Sequence, residues 1–100
     1  MKGARLTKKQ AVDELKKIID PELGIDIYNL ELIYDVKIGG DNSVVVKMTL
    51  TSPMCPYGPA ILGEVKDRLQ KKGFKNPEID LVFEPLWTPS EKVKILLGLA

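Results

Sequence analysis

Val44-Val45-Val46-Lys47-Met48-Thr49-Leu50-Thr51-Ser52-Pro53-Met54-Cys55-Pro56 is the stretch from which the fold reads outward. Val44 to Leu50 is nearly continuous in apolar residues, broken only by Lys47 and Thr49, which predicts a central strand with both faces at least partly covered. Pro53 and Pro56 then stop regular structure. Beyond them Ala60, Ile61, Leu62, Val65 and Leu69 recur at helical spacing, with Glu64, Lys66, Asp67 and Arg68 outward, until Gly73 supplies a C-terminal stop. Upstream, Leu32 to Ile38 mixes β-branched and aromatic residues and runs into Gly39-Gly40-Asp41-Asn42, so the two strands form an antiparallel hairpin. Downstream, Ile79, Leu81 and Phe83 alternate within Glu78–Phe83, a third strand. A strand, a helix and a further strand in this order make a right-handed crossover with parallel pairing.

Helices flank this centre. Thr7-Lys8-Lys9-Gln10 matches a capping box, in which the threonine oxygen takes one orphan N–H and the glutamine reaches back to another. Ala11, Val12, Leu15, Ile18 and Ile19 carry the apolar stripe of that helix, and the residue before Pro21 is pushed out of the α region, so the helix is expected to end at Ile19 or Asp20. At the far end, Thr88-Pro89-Ser90-Glu91 predicts a threonine-capped helix with Val93, Ile95, Leu96 and Leu97 on its apolar face. The order is α-β-β-α-β-α. It describes an α/β (α+β) two-layer domain over residues 1–100, with a small mixed three-stranded sheet. The topology also predicts that the Pro21 turn, the loop into the second helix and the segment before the last helix gather near one end of that sheet.

Composition narrows the chemistry. Fifteen basic and fourteen acidic residues leave a formal charge of +1, so no net field gathers phosphate backbones and a nucleic-acid partner has no support. No stretch approaches the roughly 20 apolar residues of a spanning helix, and a cytoplasmic protein without membrane contact is expected. Histidine is absent and Cys55 is the single cysteine, which excludes an intrachain disulfide, a Cys/His zinc site within one chain, and Ser-His or Cys-His catalytic pairs.

Cys55 lies where a strand hands over to a helix. The unsatisfied N–H groups of a helix start favour thiolate, whereas free cysteine commonly packs as a small hydrophobe; the flanking prolines and the polar Thr51 and Ser52 tilt the reading toward an accessible sulfur. Asp20, Glu22 and Asp26 crowd a tight turn, where carboxylates can bind a metal, accept a proton or contact a basic partner, or simply bond turn N–H groups and water. Trp87 is read either as packing that closes the last helix or as a surface anchor for a partner.

Three segments together resemble a family: Asp20-Pro21-Glu22-Leu23-Gly24-Ile25-Asp26-Ile27, Leu32-Ile33-Tyr34-Asp35-Val36, and Met48-Thr49-Leu50-Thr51-Ser52-Pro53-Met54-Cys55-Pro56. They are similar to the iron–sulfur cluster assembly domain-like family, also described as domain of unknown function family fifty-nine, with SufT-like and PaaD-like members. Phe83-Glu84-Pro85-Leu86-Trp87-Thr88-Pro89 resembles that family's usual ending. The resemblance implies an accessory factor in iron–sulfur protein maturation, or metal–sulfur cluster biosynthesis, rather than an enzyme. Its functional motif falls on Asp20, Glu22, Thr51, Ser52 and Cys55, with Cys55 the functional thiol and a transient metal ligand. Glutamate stands at position 31 where relatives often carry glycine, so a left-handed backbone is not expected there. Ser52 replaces a common threonine and keeps the hydroxyl.

Iron–sulfur clusters are normally held by four thiolates, or by thiolates with imidazoles. One chain offers one sulfur, so no cluster is expected to be stably bound by the monomer. The remaining roles are a transient carrier of a cluster, iron or sulfur, or an adaptor contacting iron–sulfur client and assembly proteins, with a homodimer as one way to bring a second thiolate. The alternative is an interaction module without metal chemistry, in which Cys55 is structural and Trp87 with the acidic turn docks a partner.

Overall fold

The computed structural model describes residues 6–51 and 56–98. The elements run α1 (Lys8–Leu15), β1 (Ile33–Ile38), β2 (Ser43–Met48), α2 (Gly58–Lys72), β3 (Lys75–Leu81) and α3 (Glu91–Leu96). This is an α+β fold around a three-stranded mixed sheet in the order β1-β2-β3, with β1 antiparallel and β3 parallel to the central β2.

β2 is central, as its composition predicts, but only one of its faces is covered. Val44, Val46 and Met48 are buried, while Val45 and Lys47 between them are exposed. The register places Asp35, Lys47 and Asp80 side by side across the open face. The covered face meets Leu15, Ile61, Val65, Leu69 and Val93 in one core. Each such side chain contributes about 1.5–3 kcal/mol when fully withdrawn from water. Helices gathered on one side, rather than two, explain the correction.

The helix limits show where local signals hold. Thr7 and Gln10 form the expected capping box, the threonine hydroxyl accepting the Gln10 N–H at 3.2 Å and the glutamine oxygen the Thr7 N–H at 2.7 Å. The other end of α1 comes at Leu15, well before Ile19. Ile18 is already extended, its carbonyl accepting the Ile27 N–H at 2.9 Å, and Ile19 bridges Asp26. This pairing draws residues 18–20 out of the helix, and Ile19 is left 50% exposed rather than on a buried stripe. α2 ends as expected at Gly73, whose φ of 120° no side-chain-bearing residue adopts easily. β3 starts earlier than the alternation indicates and takes in Pro77, tolerated because β3 is an edge strand with a register slip opposite Ser43 and Val45. α3 is capped by Ser90, not Thr88: the Ser90 hydroxyl accepts the Val93 N–H at 3.2 Å. Val93 is buried and Leu97 packs partly on the core, whereas Ile95 and Leu96 face solvent. Among the described residues no helix is long and apolar enough to cross a membrane.

Candidate functional site

The site begins at the turn after α1. The Asp20 N–H donates to the Ile25 carbonyl at 3.0 Å and the Asp20 carbonyl accepts the Gly24 N–H at 2.8 Å, closing the loop. Gly24 turns it with a φ of 72°, a region open to glycine. Asp20 Oδ1 accepts the N–H groups of Glu22 and Leu23 at 2.8 and 3.2 Å, an Asx turn. Asp20 is only 1% exposed, yet its second oxygen, Oδ2, is buried without a hydrogen-bond partner among the described residues. An unpaired buried acceptor costs about 1–3 kcal/mol, more when charged. Glu22 is exposed. Asp26 is committed to structure, its carboxylate accepting the Asn29 N–H at 2.9 Å and the Asn29 Nδ2–H at 2.7 Å. The three carboxylates therefore do not share one ion, and among the described residues no three acidic or sulfur side chains come together to hold a metal.

A relay of backbone bonds joins this turn to the end of β2. Ile18 O accepts Ile27 N–H at 2.9 Å, Ile27 O accepts Leu32 N–H at 3.1 Å, and Leu32 O accepts Thr49 N–H at 2.9 Å. Thr49 is buried, and Thr51, two residues on, is partly buried at the start of the loop toward α2. The segment before α3 reaches the same end, because the Trp87 indole N–H donates to Leu30 O at 2.9 Å and the Val82 N–H to Met48 O at 2.9 Å. The Pro21 turn and the segment before α3 therefore gather at this end of the sheet as expected, while the loop into α2 lies, beyond Thr51, outside the described residues up to Pro56.

Ser52 and Cys55 lie outside the described residues. The helix that follows them is informative. α2 opens at buried Gly58 without a side-chain cap from Tyr57 and without an acidic residue in its first turn, so among the described residues no side chain neutralises its positive dipole end. Gly58 allows a close approach: a Cβ there would stand 2.8 Å from Leu50 Cδ1 and would displace that methyl. The close approach sets the start of α2 against Leu50, just beyond the end of β2.

Two features escaped the sequence reading. Glu31 does adopt a left-handed backbone, with φ 64°, at the corner just after the carbonyl that receives Trp87. Trp87 is partly packed on the core, one of the two readings of it, and it also lines an open cleft beside Glu31. The composition of neither Leu30-Glu31-Leu32 nor Leu86-Trp87-Thr88 announces that corner; only their tertiary bond does.

The chain matches the family described as iron–sulfur cluster assembly protein over residues 8–78. It is 44% identical over 87 residues to the Fe-S protein maturation auxiliary factor SufT of Staphylococcus aureus, covering 83% of this chain and 99% of that one. The Fe-S protein maturation auxiliary factor of Porphyromonas gingivalis is 41% identical over 96 residues, covering 92% of this chain and 91% of the relative. Among solved structures, Domain of Unknown Function DUF59 from Bacillus anthracis superposes with a TM-score of 0.83 at 37% identity, covering 93% of this chain and 92% of the other. On that match and those identities, the chain belongs to the iron–sulfur cluster assembly protein family.

Proposed function

We propose that this protein is an accessory factor in iron–sulfur protein maturation that holds iron, or a cluster in transit, through Cys55 at the mouth of α2, with Asp20 beside the sulfur loop. The relatives named as maturation auxiliary factors support the accessory role. The observation that carries the site is the buried Asp20 oxygen without a donor among the described residues, joined by backbone bonds to the strand end from which the cysteine loop departs. A lone pair kept dry and unpaired is satisfied when a cation or donor arrives. The uncapped start of α2 adds to this, since its dipole favours thiolate over thiol three residues upstream. Glu22, exposed on the same turn, and Thr51 at the start of the cysteine loop add polar groups at this end.

One sulfur per chain makes the hold temporary. The remaining coordination is supplied by a second copy, by small thiols or by the client that receives the cargo, which suits a factor that must release what it binds. No bond is made or broken in a substrate, so the protein acts as a carrier and client contact rather than as an enzyme.

The test is anaerobic reconstitution with ferrous iron and sulfide of wild type, Cys55→Ala and Asp20→Asn, reading absorbance, bound iron and activation of an apo-ferredoxin. Wild type takes up and passes on iron, and Cys55→Ala does neither. Equal uptake and equal activation by Cys55→Ala would refute the sulfur-centred reading. Alkylation of the folded protein gives a second measure: a Cys55 inert to iodoacetamide up to alkaline pH would leave an interaction module without metal chemistry.

A further inference from the structure

A cleft of about 320 Å³ opens beside β1, at the lower end of the range for ligand pockets. Its walls include Glu31, Ile33, Tyr34, Leu86 and Trp87. Three features make it more than a surface dent. Ile33 pairs with Met48 and Asp35 with Lys47, so Tyr34 is an extra residue on β1, and such a bulge re-aims a side chain; Tyr34 stands 41% exposed at the cleft. The Trp87 indole is held by its bond to Leu30 O, so its ring is preorganised, and neighbouring Leu86 is left 61% exposed. Finally, Glu31 is the single ionised group on the walls and occupies a left-handed backbone that disfavours every residue except glycine and a few polar ones.

A carboxylate set against two aromatic rings and an exposed leucine favours a cationic side chain with a flat face. Arginine pairs its planar guanidinium with a carboxylate and stacks on aromatic faces, and it is less strongly hydrated than lysine. Acidic segments are repelled by Glu31 and by the exposed Glu84 next to Pro85. We propose that this cleft docks a partner-protein segment whose arginine pairs with Glu31 and stacks on Trp87 and Tyr34, while a flanking apolar residue covers Leu86. The proposal deepens the client-contact side of the maturation role and rests on it for what the partner is. Its test needs no iron, so its failure and the failure of the sulfur chemistry are read separately.

Trp87 is the only tryptophan in the chain, so its emission reports the cleft directly. The probes are blocked peptides with leucine, arginine and leucine in succession, and the same peptide with lysine or glutamate in place of arginine. The arginine peptide shifts Trp87 emission saturably and binds about tenfold more tightly than the glutamate peptide, with lysine between them. Glu31→Gly, whose glycine suits the φ of 64°, keeps the fold and abolishes that preference. No change in emission up to millimolar peptide, equal binding of the arginine and glutamate peptides, or an undiminished preference in Glu31→Gly would each overturn the proposal.

Discussion

At the hairpin end of the sheet Asp41, and at the opposite end Asp20, each accept a backbone N–H from two residues further on, Ser43 at 3.2 Å and Glu22 at 2.8 Å. Around Asp41 the groups are organised into structure. Gly39 N–H donates to Ser43 O, Asn42 O accepts the N–H that starts β3, and Asn42 Oδ1 accepts the Leu6 N–H ahead of α1. Asp41 itself stands in water, and its bonds from Ser43 hold its carboxyl below the usual aspartate range. Asp20 makes the same local turn but is buried, with one oxygen left unpaired. One motif thus sits in two settings: where solvent reaches it, it ties a hairpin, and where the chain seals it off, one oxygen is left without a partner among the described residues. Stability alone accounts for the first and not for the second.

The largest effect is expected from separating the two oxygens of Asp20. Asp20→Ala strands the N–H groups of Glu22 and Leu23 and should cost about 2 kcal/mol of stability. Asp20→Asn retains an acceptor for them and should cost about 1 kcal/mol or less, yet it replaces the second oxygen by a donor. Both variants should lose iron retention alike while differing in urea midpoint, and neither loss should appear in Asp41→Asn. Retention that simply tracks stability across the three variants would reduce Asp20 to a second Asp41.

A smaller effect concerns the contact between the start of α2 and Leu50. Gly58→Ala sets a methyl 2.8 Å from Leu50 Cδ1, and shifting that buried side-chain end should cost about 1 kcal/mol. Gly63 on the same helix has nothing within 4 Å of its missing Cβ, so Gly63→Ala should stabilise by about 0.5–1 kcal/mol through helix propensity. Opposite shifts in urea midpoint with unchanged slope would establish the contact; a destabilised Gly63→Ala would show that the helix, not its contact with Leu50, sets both values.

These contrasts follow the line between what was legible in the chain and what was not. The hairpin, the parallel crossover, the central strand and the Thr7 capping box were legible because each depends on residues close in sequence or on connection rules. The early end of α1 was not, because the pairing of Ile19 with Asp26 outweighs the helical spacing of Ile18 and Ile19. Ser90 caps α3 although Thr88 is an equally good local candidate, and local pattern does not choose between two hydroxyls two residues apart. At the site, the bonds from Asp20 to turn N–H groups were among the readings of Asp20-Pro21-Glu22. Its burial was not foreseeable, since which carboxylate turns inward depends on Leu32 and Thr49 carrying the backbone relay behind it.

The smallest expected effect sharpens the hairpin side. The Asp41 carboxyl is held down first by the Ser43 hydroxyl, then by backbone N–H groups, with Lys75 adding a weaker attraction. Because the folded state lowers this pKa, the linked stabilisation is fully present above the unfolded value of about 3.9 and is lost as pH falls through the folded value. Ser43→Ala should therefore lower the thermal midpoint slightly at neutral pH, and the gap from wild type should shrink as pH falls below the usual aspartate range and through the lowered folded value, where Asp41 becomes protonated in both proteins. Other carboxylates titrate in the same range, but they are common to both proteins and cancel in the difference. A gap that stays constant from neutral to acid pH would mean that Ser43 acts through the hairpin backbone and not through the charge on Asp41.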